Sequence, residues 1–432
     1  MTTQIAIVLV VIVLMIISFL TEVLPLAFTA LMVPVALQAA GILTPAQAWA
    51  GFSNTTIITW IGLFIIGAVF AKTSFTYRIK MYVTRNAKGS GTKVMLMVLL
   101  SSTLMGVMTS ATSTIAVLTP ILMEICDETG ISPKLIFKSV ADVSVWGSVQ
   151  MLPIGSSLSY FILFNTYLEN AGTELRYSLL DMTWIKFPMW IVLLLYYLFV
   201  SRKLKVNSPT TAHKVEKVEE KEEKATTYTP FQEKAATFIF FANVILMVIA
   251  SFTKFVPVYI VSTSFAALAV GLKLISEKDA LHSVSWSTIF LVAGTLPLSA
   301  AITASGTGEW LSNILQNAFP ALTNPVVLAT AFCVISAITT QFMSNTAVWA
   351  IMSPIAATMA INLNMDPRLV VAGVACGAII CFATPMAAPA QGYAYGICNF
   401  KMKEYIKLGW FPCVLMVAVF MVWAPIVLNL LY

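Results

Sequence analysis

The chain has 432 residues, of which 59% are hydrophobic and only 10% are charged, and its mean hydropathy is +0.88. Soluble domains carry about 25% charged residues, so this composition excludes an ordinary soluble protein and predicts one that lies in a lipid bilayer. The formal net charge of +6 reflects orientation in the membrane and does not indicate nucleic-acid binding.

Apolar runs long enough to cross a bilayer follow one another along the chain. Runs of roughly 17 to 22 residues, which span about 30 Å of hydrocarbon, begin near Ile5, Val23, Thr56, Trp184, Ala235, Val256, Ser287 and Trp410. Four other apolar segments are interrupted by polar side chains or proline: Lys93–Met123, Leu135–Phe164, Asn324–Ile361 and Leu369–Ile397. Irregular backbone at membrane depth is tolerated only where protein or a water-filled cavity covers it. These four segments are therefore predicted to form a binding site.

Two of the interrupted segments carry almost the same hydroxyl-rich motif, 234 positions apart. Ser110-Ala111-Thr112 and Ser344-Asn345-Thr346 are each followed by alanine four residues after the threonine, and by Pro-Ile four residues after that. A polar cluster that recurs once in each half of a membrane chain is typical of a transporter whose binding site is shared by the two halves.

An internal duplication is indicated by further matches at a shift of 232 positions. These align Pro25 with Pro257, Ser53 with Ser285, Gly62 with Gly294, Ala68 with Ala300, and Pro153 with Pro385. We expect a first repeat over residues 1–201 and a second over 235–432. The mixed-charge segment 202–234 between them predicts a solvated cytoplasmic linker that binds no ligand.

The distribution of basic residues predicts that the second repeat is inverted in the membrane. Five spans and one re-entrant hairpin per repeat give an odd number of crossings. An external N-terminus then places 21 of the 25 basic residues on the cytoplasmic side, as the positive-inside rule requires. The outer side keeps Arg176, Lys186, Lys254 and Arg368. We therefore expect a multi-pass protein of a bacterial cytoplasmic membrane with both termini outside.

The interrupted segments also predict the architecture of the site. Re-entrant hairpins are expected at about 93–125 and 324–361, and broken helices at about 135–164 and 369–397. The hairpins enter from opposite faces, so their tips meet near the midplane. Free carbonyl and hydroxyl oxygens there can hold Na⁺, and helix N-termini can hold an anion. Neither tip contains Lys or Arg, so a multivalent anion would need bound cations to offset its charge.

Other classes of function fit these residues less well. An intramembrane enzyme needs a nucleophile with a base, or a metal with its ligands. The central hydroxyl groups have no His, Asp, Glu or Lys nearby in sequence, so no catalytic residue is predicted. The six cysteines lack CxxC spacing and are predicted to be packing residues. A channel suits opposed hairpins less well than alternating access does.

At these motifs the chain resembles the divalent anion/sodium symporter family, which carries dicarboxylates, citrate and sulfate. The resemblance rests on Ser344-Asn345-Thr346, on Ser110-Ala111-Thr112 as its degraded partner, on the stretches from Thr21 and Gly51, and on the loops at Pro153 and Pro385. It implies an all-α, inverted-repeat membrane transporter that forms a homodimer. It also implies an elevator mechanism, in which a transport domain slides past a scaffold.

The family further implies binding residues at matching positions of this sequence. The first Na⁺ site would use Gly106, Ser110, Ala111 and Gly155. The second Na⁺ site would use Thr340, Met343, Asn345 and Ala387. Substrate carboxylates would rest on Thr112, Asn345, Thr346, Ala388 and Pro389. In this reading Na⁺ is the coupling ion, and a dicarboxylate such as succinate is the expected substrate.

One departure from the family pattern leaves other mechanisms open. Ala111 replaces an asparagine whose amide would serve both sodium and substrate, which removes a charge-assisted contact of about 1.5 to 3 kcal/mol. A Na⁺-independent anion exchanger therefore remains an alternative. A proton-coupled carrier using Glu22, Glu124 or Asp142, and a carrier of oxyanions such as sulfate or arsenite, share the architecture. The three acids lie near span ends, where an interfacial position is the ordinary expectation.

Overall fold

The computed structural model describes residues 2–21, 23–74, 91–108, 110–149, 151–152, 156–200, 228–253, 256–318 and 320–432. Within these ranges the chain is built of helices and contains no strand. The predicted all-α class is therefore confirmed. Several predicted features lie outside the described residues: Glu22, Gly155, Lys254 and residues 202–227 of the linker.

The helices of the first half are α1 (Thr3–Thr21), α2 (Leu26–Ala39), α3 (Pro45–Ala48), α4 (Thr55–Ala71), α5 (Gly91–Met108), α6 (Ala111–Thr129), α7 (Pro133–Ser148), α8 (Ser156–Asn170) and α9 (Asp181–Leu195). Those of the second half are α10 (Pro230–Thr253), α11 (Val258–Gly271), α12 (Glu277–Ser283), α13 (Trp286–Thr295), α14 (Pro297–Ala304), α15 (Thr307–Ala318), α16 (Pro325–Thr339), α17 (Asn345–Asn362), α18 (Pro367–Gly377), α19 (Pro389–Ile397) and α20 (Met402–Leu431).

In the part of the chain that the structure describes, five helical segments are long and apolar enough to cross a membrane: Gly91–Met108, Asp181–Phe199, Pro230–Ala250, Trp286–Ala304 and Met402–Leu431. Only 28% of the most apolar stretch of Met402–Leu431 is buried inside the protein. Large apolar side chains such as Val414 and Val422 are exposed on it. Contiguous apolar surface of this kind is suited to lipid.

The two halves repeat the same order of helices. The 14-residue helices α2 and α11 begin 232 positions apart, and each follows a proline, Pro25 and Pro257. The starts of α6 and α17 are 234 positions apart, and so are those of α7 and α18. An internal duplication produces this order; the repeat boundaries themselves stay a prediction.

The halves contact each other through two equivalent helix crossings, α2 on α13 and α11 on α4. A Cβ added to Gly294 would lie 2.4 Å from the carbonyl oxygen of Ala30, and one added to Gly62 would lie 2.7 Å from the carbonyl carbon of Ser262. Gly62 is equivalent to Gly294 under the 232-residue shift, and Ala30 is equivalent to Ser262. The same contact is thus made twice with the halves exchanged, which is a pseudo-twofold relation.

Each hairpin packs on the following helix of its own half, α5 on α7 and α16 on α18. Glycine allows the closest approach. A Cβ added to Gly106 would lie 2.5 Å from the carbonyl oxygen of Ser144, and one added to Gly377 would lie 2.3 Å from that of Cys333. Small residues let membrane helices approach in this way. The hairpins and the helices beneath them therefore form a packed unit that positions both tips.

Two basic residues counted in the charge distribution are fully buried inside the protein. The sequence assigns Lys138 to the cytoplasmic side and Lys186 to the outer side, and both side chains are 0% exposed. Each ammonium group has oxygen partners within the protein, which a count of loop charges does not indicate. The side of the membrane on which each residue lies stays a prediction.

Replacing the crossing glycines tests the pseudo-twofold contact. We expect Gly294→Val and Gly62→Val each to lower the free energy of unfolding by about 1 to 3 kcal/mol, because the added carbons overlap backbone atoms of the other half. Gly67→Ala on α4 is the matched control, since a Cβ there meets nothing within 4 Å. Thermal unfolding of the detergent-solubilised variants measures the effect, and a melting temperature unchanged in either valine variant would contradict the contact.

Candidate functional site

The first tip is the N-terminus of α6. Ser110 caps this helix: its Oγ accepts a hydrogen bond from the Ser113 N–H at 3.1 Å, and its carbonyl accepts one from Thr114 Oγ1 at 2.8 Å. Ala111 and Thr112 lie in the first turn and are partly exposed, and the turn contains no acidic side chain. The tip thus presents hydroxyl groups and the positive end of a helix dipole.

The second tip has the same construction at the N-terminus of α17. Ser344 caps it, since its Oγ accepts a hydrogen bond from the Ala347 N–H at 3.2 Å. Asn345 and Thr346 form the first turn and are partly exposed. Two serine-capped helix N-termini in matched positions are a geometry that favours an anion.

Oxygen atoms from three segments converge beside Asn345. Thr340 Oγ1 donates to the Ala378 carbonyl at 2.7 Å. One terminal atom of the Asn345 amide lies 2.8 Å from Thr340 Oγ1, 3.0 Å from the Ala378 carbonyl oxygen and 3.3 Å from that of Ala387. Hydrogen bonding is satisfied with the amide nitrogen at this position, where its two N–H groups face three oxygen acceptors. If the amide turns, its oxygen becomes the fourth oxygen atom of the cluster. A hard cation takes such oxygen ligands.

The residues predicted for the second Na⁺ site are therefore largely together. Thr340, Asn345 and Ala387 are joined within this cluster, and Met343 lies buried in the turn between α16 and α17. Ala378 is a member that the sequence does not indicate, because its carbonyl becomes available only where α18 ends.

The residues predicted for the first Na⁺ site are divided between the tip and α5. Ser110 and Ala111 stand at the start of α6, whereas Gly106 lies in α5 against the backbone of Ser144. Close helix packing is a sufficient reason for glycine at position 106. A role of Gly106 in ion binding stays a prediction, and Gly155 lies outside the described residues.

A third helix N-terminus completes the set of predicted substrate residues. Ala388 precedes α19 and Pro389 opens it, which is the first helical position that proline favours. Thr112, Thr346 and Pro389 thus each lie in the first turn of a helix. Their use by one substrate stays a prediction.

Gln341, which the sequence analysis does not single out, binds backbone groups of the irregular segment between α18 and α19. Its Nε2 donates to the Ile380 carbonyl at 2.8 Å, and its Oε1 accepts from the N–H groups of Ala383 at 3.0 Å and Thr384 at 3.2 Å. One amide therefore ties this irregular segment to the second tip. The sequence does contain one indication of its role, since Gln341 places an amide in an apolar segment four residues before Asn345.

A buried ion pair on α7 is hydrogen-bonded to Gln391 of the second half. Lys138 and Asp142, one turn apart on α7, are both fully buried and in direct contact. Gln391 of α19 donates from Nε2 to Asp142 at 2.8 Å and accepts from Lys138 Nζ at 3.3 Å. Tyr197 also donates to Asp142. The interfacial position expected for Asp142 is wrong, because its side chain is fully buried inside the protein, where a carboxylate requires partners such as these.

Lys186 of α9 lies at the C-terminal end of α7. Its Nζ donates to the Trp146 carbonyl at 3.1 Å and to the Val149 carbonyl, and it lies 4.7 Å from the centre of the Trp146 ring. A basic group is favoured at a helix C-terminus, where carbonyl groups lack partners within the helix. Lys186 thus supplies hydrogen bonds where α7 ends.

A cavity of about 360 Å³ lies beside the first tip. Its walls come from the tip, α4, α8 and α10, and its polar lining residues are Ser110, Ser113, Ser148, Tyr160, Asn243 and Ser283. Small-molecule sites in proteins occupy roughly 300 to 1,000 Å³, so a small organic ion fits within it.

A family model described as "Citrate transporter" matches residues 12–377 of this chain. The chain belongs to the citrate transporter family. This citrate transporter family member is therefore a multi-pass membrane transporter and not an enzyme, as the sequence predicts. The predicted relationship to carriers of di- and multivalent carboxylates is confirmed.

Two relatives are similar in sequence to this chain over most of their own length. An uncharacterized transporter of Haemophilus influenzae is 24% identical over 424 residues, covering 93% of this chain and 87% of the relative. The sodium-dependent dicarboxylate transporter SdcS of Staphylococcus aureus is 22% identical over 452 residues, covering 95% of this chain and 84% of the relative.

The crystal structure of the YdaH transporter of Alcanivorax borkumensis matches the fold with a TM-score of 0.60 at 14% identity, covering 92% of this chain and 88% of YdaH. This likeness shows that the chain has the fold of that transporter and carries no statement about substrate. The predicted transporter fold is thereby confirmed.

The buried ion pair gives a prediction about stability. Asp142→Leu or Lys138→Met alone leaves one charge buried without its partner, which costs about 3 to 5 kcal/mol in the free energy of unfolding. The double variant removes both charges, so we expect it to unfold at a higher temperature than either single variant. Thermal unfolding in detergent measures the three variants, and losses that simply add in the double variant would show that the two charges do not interact.

Proposed function

We propose that this chain is a secondary active transporter of small di- or multivalent carboxylates, with succinate as the leading candidate, coupled to Na⁺. The observation that carries the proposal is the cluster at the second tip, where oxygen atoms of Thr340, Ala378 and Ala387 surround the amide of Asn345. That amide can turn its oxygen toward a bound cation. Uncharged oxygen ligands from an irregular backbone segment suit Na⁺ in transporters with broken helices.

The same tip supports a coupling of ion and anion. Asn345 contributes its amide to the oxygen cluster and stands in the first turn of α17, where the helix dipole favours an anion. A cation bound at the cluster adds positive charge beside that turn. Because binding of each ion then strengthens binding of the other, the coupling is reciprocal.

The name of the SdcS relative, a sodium-dependent dicarboxylate transporter, supports the same reading. We further propose that the unit of hairpins and broken helices moves in elevator fashion against the crossings of α2 with α13 and α11 with α4. A homodimer in a bacterial cytoplasmic membrane, with both termini outside, completes the proposal.

A Na⁺-independent anion exchanger is the second candidate, and Ala111 favours it. A methyl group stands in the first turn of α6, where an amide would bind sodium and substrate. With one tip weakened in this way, exchange of one anion for another would need no ion gradient.

Uptake into proteoliposomes distinguishes the two candidates. We expect labelled succinate to accumulate when an inward Na⁺ gradient is applied, and Thr340→Val to lower the apparent Na⁺ affinity about tenfold or more, since one cation ligand is lost. Thr340→Ser keeps the hydroxyl group and serves as the matched control. Uptake that ignores Na⁺ and depends on internal anion would instead establish an exchanger.

Restoring an amide at the first tip gives an independent prediction. Ala111→Asn adds an oxygen ligand and a hydrogen-bond donor in the first turn of α6, so we expect a lower Na⁺ concentration for half-maximal uptake or a higher Hill coefficient for Na⁺. Ala111→Val adds similar bulk without polar atoms and is the control. A Na⁺ dependence identical to that of the unmodified protein would show that the first tip binds no cation.

A further inference from the structure

A buried thiol contacts the amide of Asn345 on the side that the oxygen cluster leaves free. Cys381 belongs to the irregular segment between α18 and α19, and its side chain is 0% exposed. Its Sγ lies 3.8 Å from one terminal atom of the Asn345 amide, and the other terminal atom is the one beside Thr340. The amide therefore has a sulfur atom at one end and three oxygen atoms at the other.

A thiol can pair with either end of an amide, because it is a weak donor and its sulfur is a weak acceptor. With the amide nitrogen in the oxygen cluster, Asn345 Oδ1 faces Cys381 and can accept its S–H. With the amide oxygen in the cluster, Nδ2 faces the sulfur and donates to it at 3.8 Å. Turning of the amide toward a cation thus leaves neither of its ends without a partner.

The first half shows the same place without an amide. At the shift of 234 residues that aligns the two tips, Thr340 corresponds to Gly106 and Ala378 to Ser144. Both pairs are in contact. Thr340 Oγ1 bonds to the Ala378 carbonyl, and Gly106 packs on the Ser144 carbonyl. The shift of 234 residues therefore compares equivalent positions on both sides of each break.

Under this shift the amide and the thiol are absent together from the first half. Asn345 corresponds to Ala111, and Cys381 corresponds to Gly147. A Cβ added to Gly147 would lie 2.8 Å from the carbonyl oxygen of Thr103, so close helix packing takes the place of the thiol there. A cysteine that only filled space would have no reason to accompany the amide.

We propose that Cys381 positions the Asn345 amide for cation binding. Its S–H donates to the amide oxygen in the empty site, and its sulfur accepts the amide N–H once that oxygen faces the cation. This inference rests on the proposed function and adds a positioning residue to its cation site. The sulfur does not bind the ion, since a hard cation takes oxygen ligands.

Loss of the thiol should weaken cation binding. Without the sulfur, the cation-bound orientation leaves amide N–H groups with no acceptor, and the empty orientation leaves an oxygen with no donor. Unpaired N–H groups are the rarer of the two inside proteins. The cation-bound orientation is therefore the one that loses more.

Na⁺ binding to the purified protein in detergent tests the proposal. A Na⁺ dissociation constant is obtained from the rise in melting temperature as Na⁺ replaces choline at constant ionic strength. We expect Cys381→Ala to raise this constant about three- to tenfold, because one hydrogen bond is lost. Cys381→Ser keeps a donor and an acceptor and should stay within about twofold of the unmodified protein. Cys381→Val replaces the alanine variant where the latter does not fold.

The matched control is Cys333→Ala on α16 of the same hairpin. Cys333 is also 0% exposed, so this variant removes an equally buried thiol that does not contact Asn345. We expect it to leave the Na⁺ dissociation constant unchanged. An equal loss in Cys333→Ala would attribute the effect to packing and overturn the proposal.

Infrared difference spectra give a readout that a purely structural role does not move. The S–H stretching band of Cys381 is identified by its absence in Cys381→Ser. A donated hydrogen bond lowers the frequency of this band. We expect the band to move to higher frequency when Na⁺ is added, because the thiol then stops donating to the amide oxygen. Choline should leave it in place.

The outcomes separate this inference from transport. An unchanged Na⁺ dissociation constant in Cys381→Ala, an equal loss in Cys381→Ser, or a stationary S–H band overturns the role of Cys381, even where Na⁺-driven uptake is intact. The expected changes without any Na⁺-driven succinate uptake support Cys381 and overturn the proposed coupling. A protein that binds no Na⁺ overturns both.

Discussion

The organisation of this protein depends on one requirement, that backbone groups freed where helices break in a membrane must find partners inside the protein. Where α7 ends, the Lys186 ammonium group binds the carbonyls of Trp146 and Val149. Where α18 ends, Gln341 binds backbone groups of the irregular segment that follows. The Ala378 carbonyl beside it is bound by the short polar side chains of Thr340 and Asn345 at the second tip. The proposed cation site thus uses a carbonyl that the broken helix leaves available.

The two halves share the same order of helices but differ in the side chains that bind backbone groups where the helices are interrupted. Helix order, serine caps and the glycine crossings recur, because these features maintain the packing of each repeat. Lys186 and Gln341 do not recur: the equivalent positions are Ala418 at a shift of 232, and Val107 at a shift of 234. At the first break the amine of Lys186 binds the carbonyls of Trp146 and Val149. At the second break neutral side chains bind the carbonyl of Ala378. A neutral amide can turn its oxygen toward an ion without leaving a charge unpaired.

Local sequence patterns indicate the elements of this fold better than the partners of buried polar groups. The hydroxyl-rich motifs mark the starts of α6 and α17 because serine caps and helix breaks are determined by neighbouring residues. The roles of Gln341, Lys186 and the Lys138–Asp142 pair could not be read in the same way. Apart from the contact between Lys138 and Asp142 and the bond from Gln341 to Ala337, which each join residues four positions apart, their partners lie 37 to 253 residues away in the sequence. Only packing brings those partners together. A single amide or lysine in an apolar run indicates that its polar group must find a hydrogen-bond partner inside the protein, but it does not identify that partner.

The helix α19 contacts both tips, as the proposed binding of one substrate by both tips requires. Its N-terminus adjoins Ala387 at the oxygen cluster, while Gln391 on the same helix bonds to the ion pair of α7. The same helix packs on α6, whose N-terminus is the first tip, and Tyr393 contacts Thr119 there. A helix of nine residues therefore touches the second site, the buried ion pair and the first hairpin. Bonds and packing attach α19 to all three of these sites, so in the proposed mechanism a displacement at the oxygen cluster would move the first hairpin with it. The proposed coupling between cation and anion would then require only the rigid displacement of one short helix.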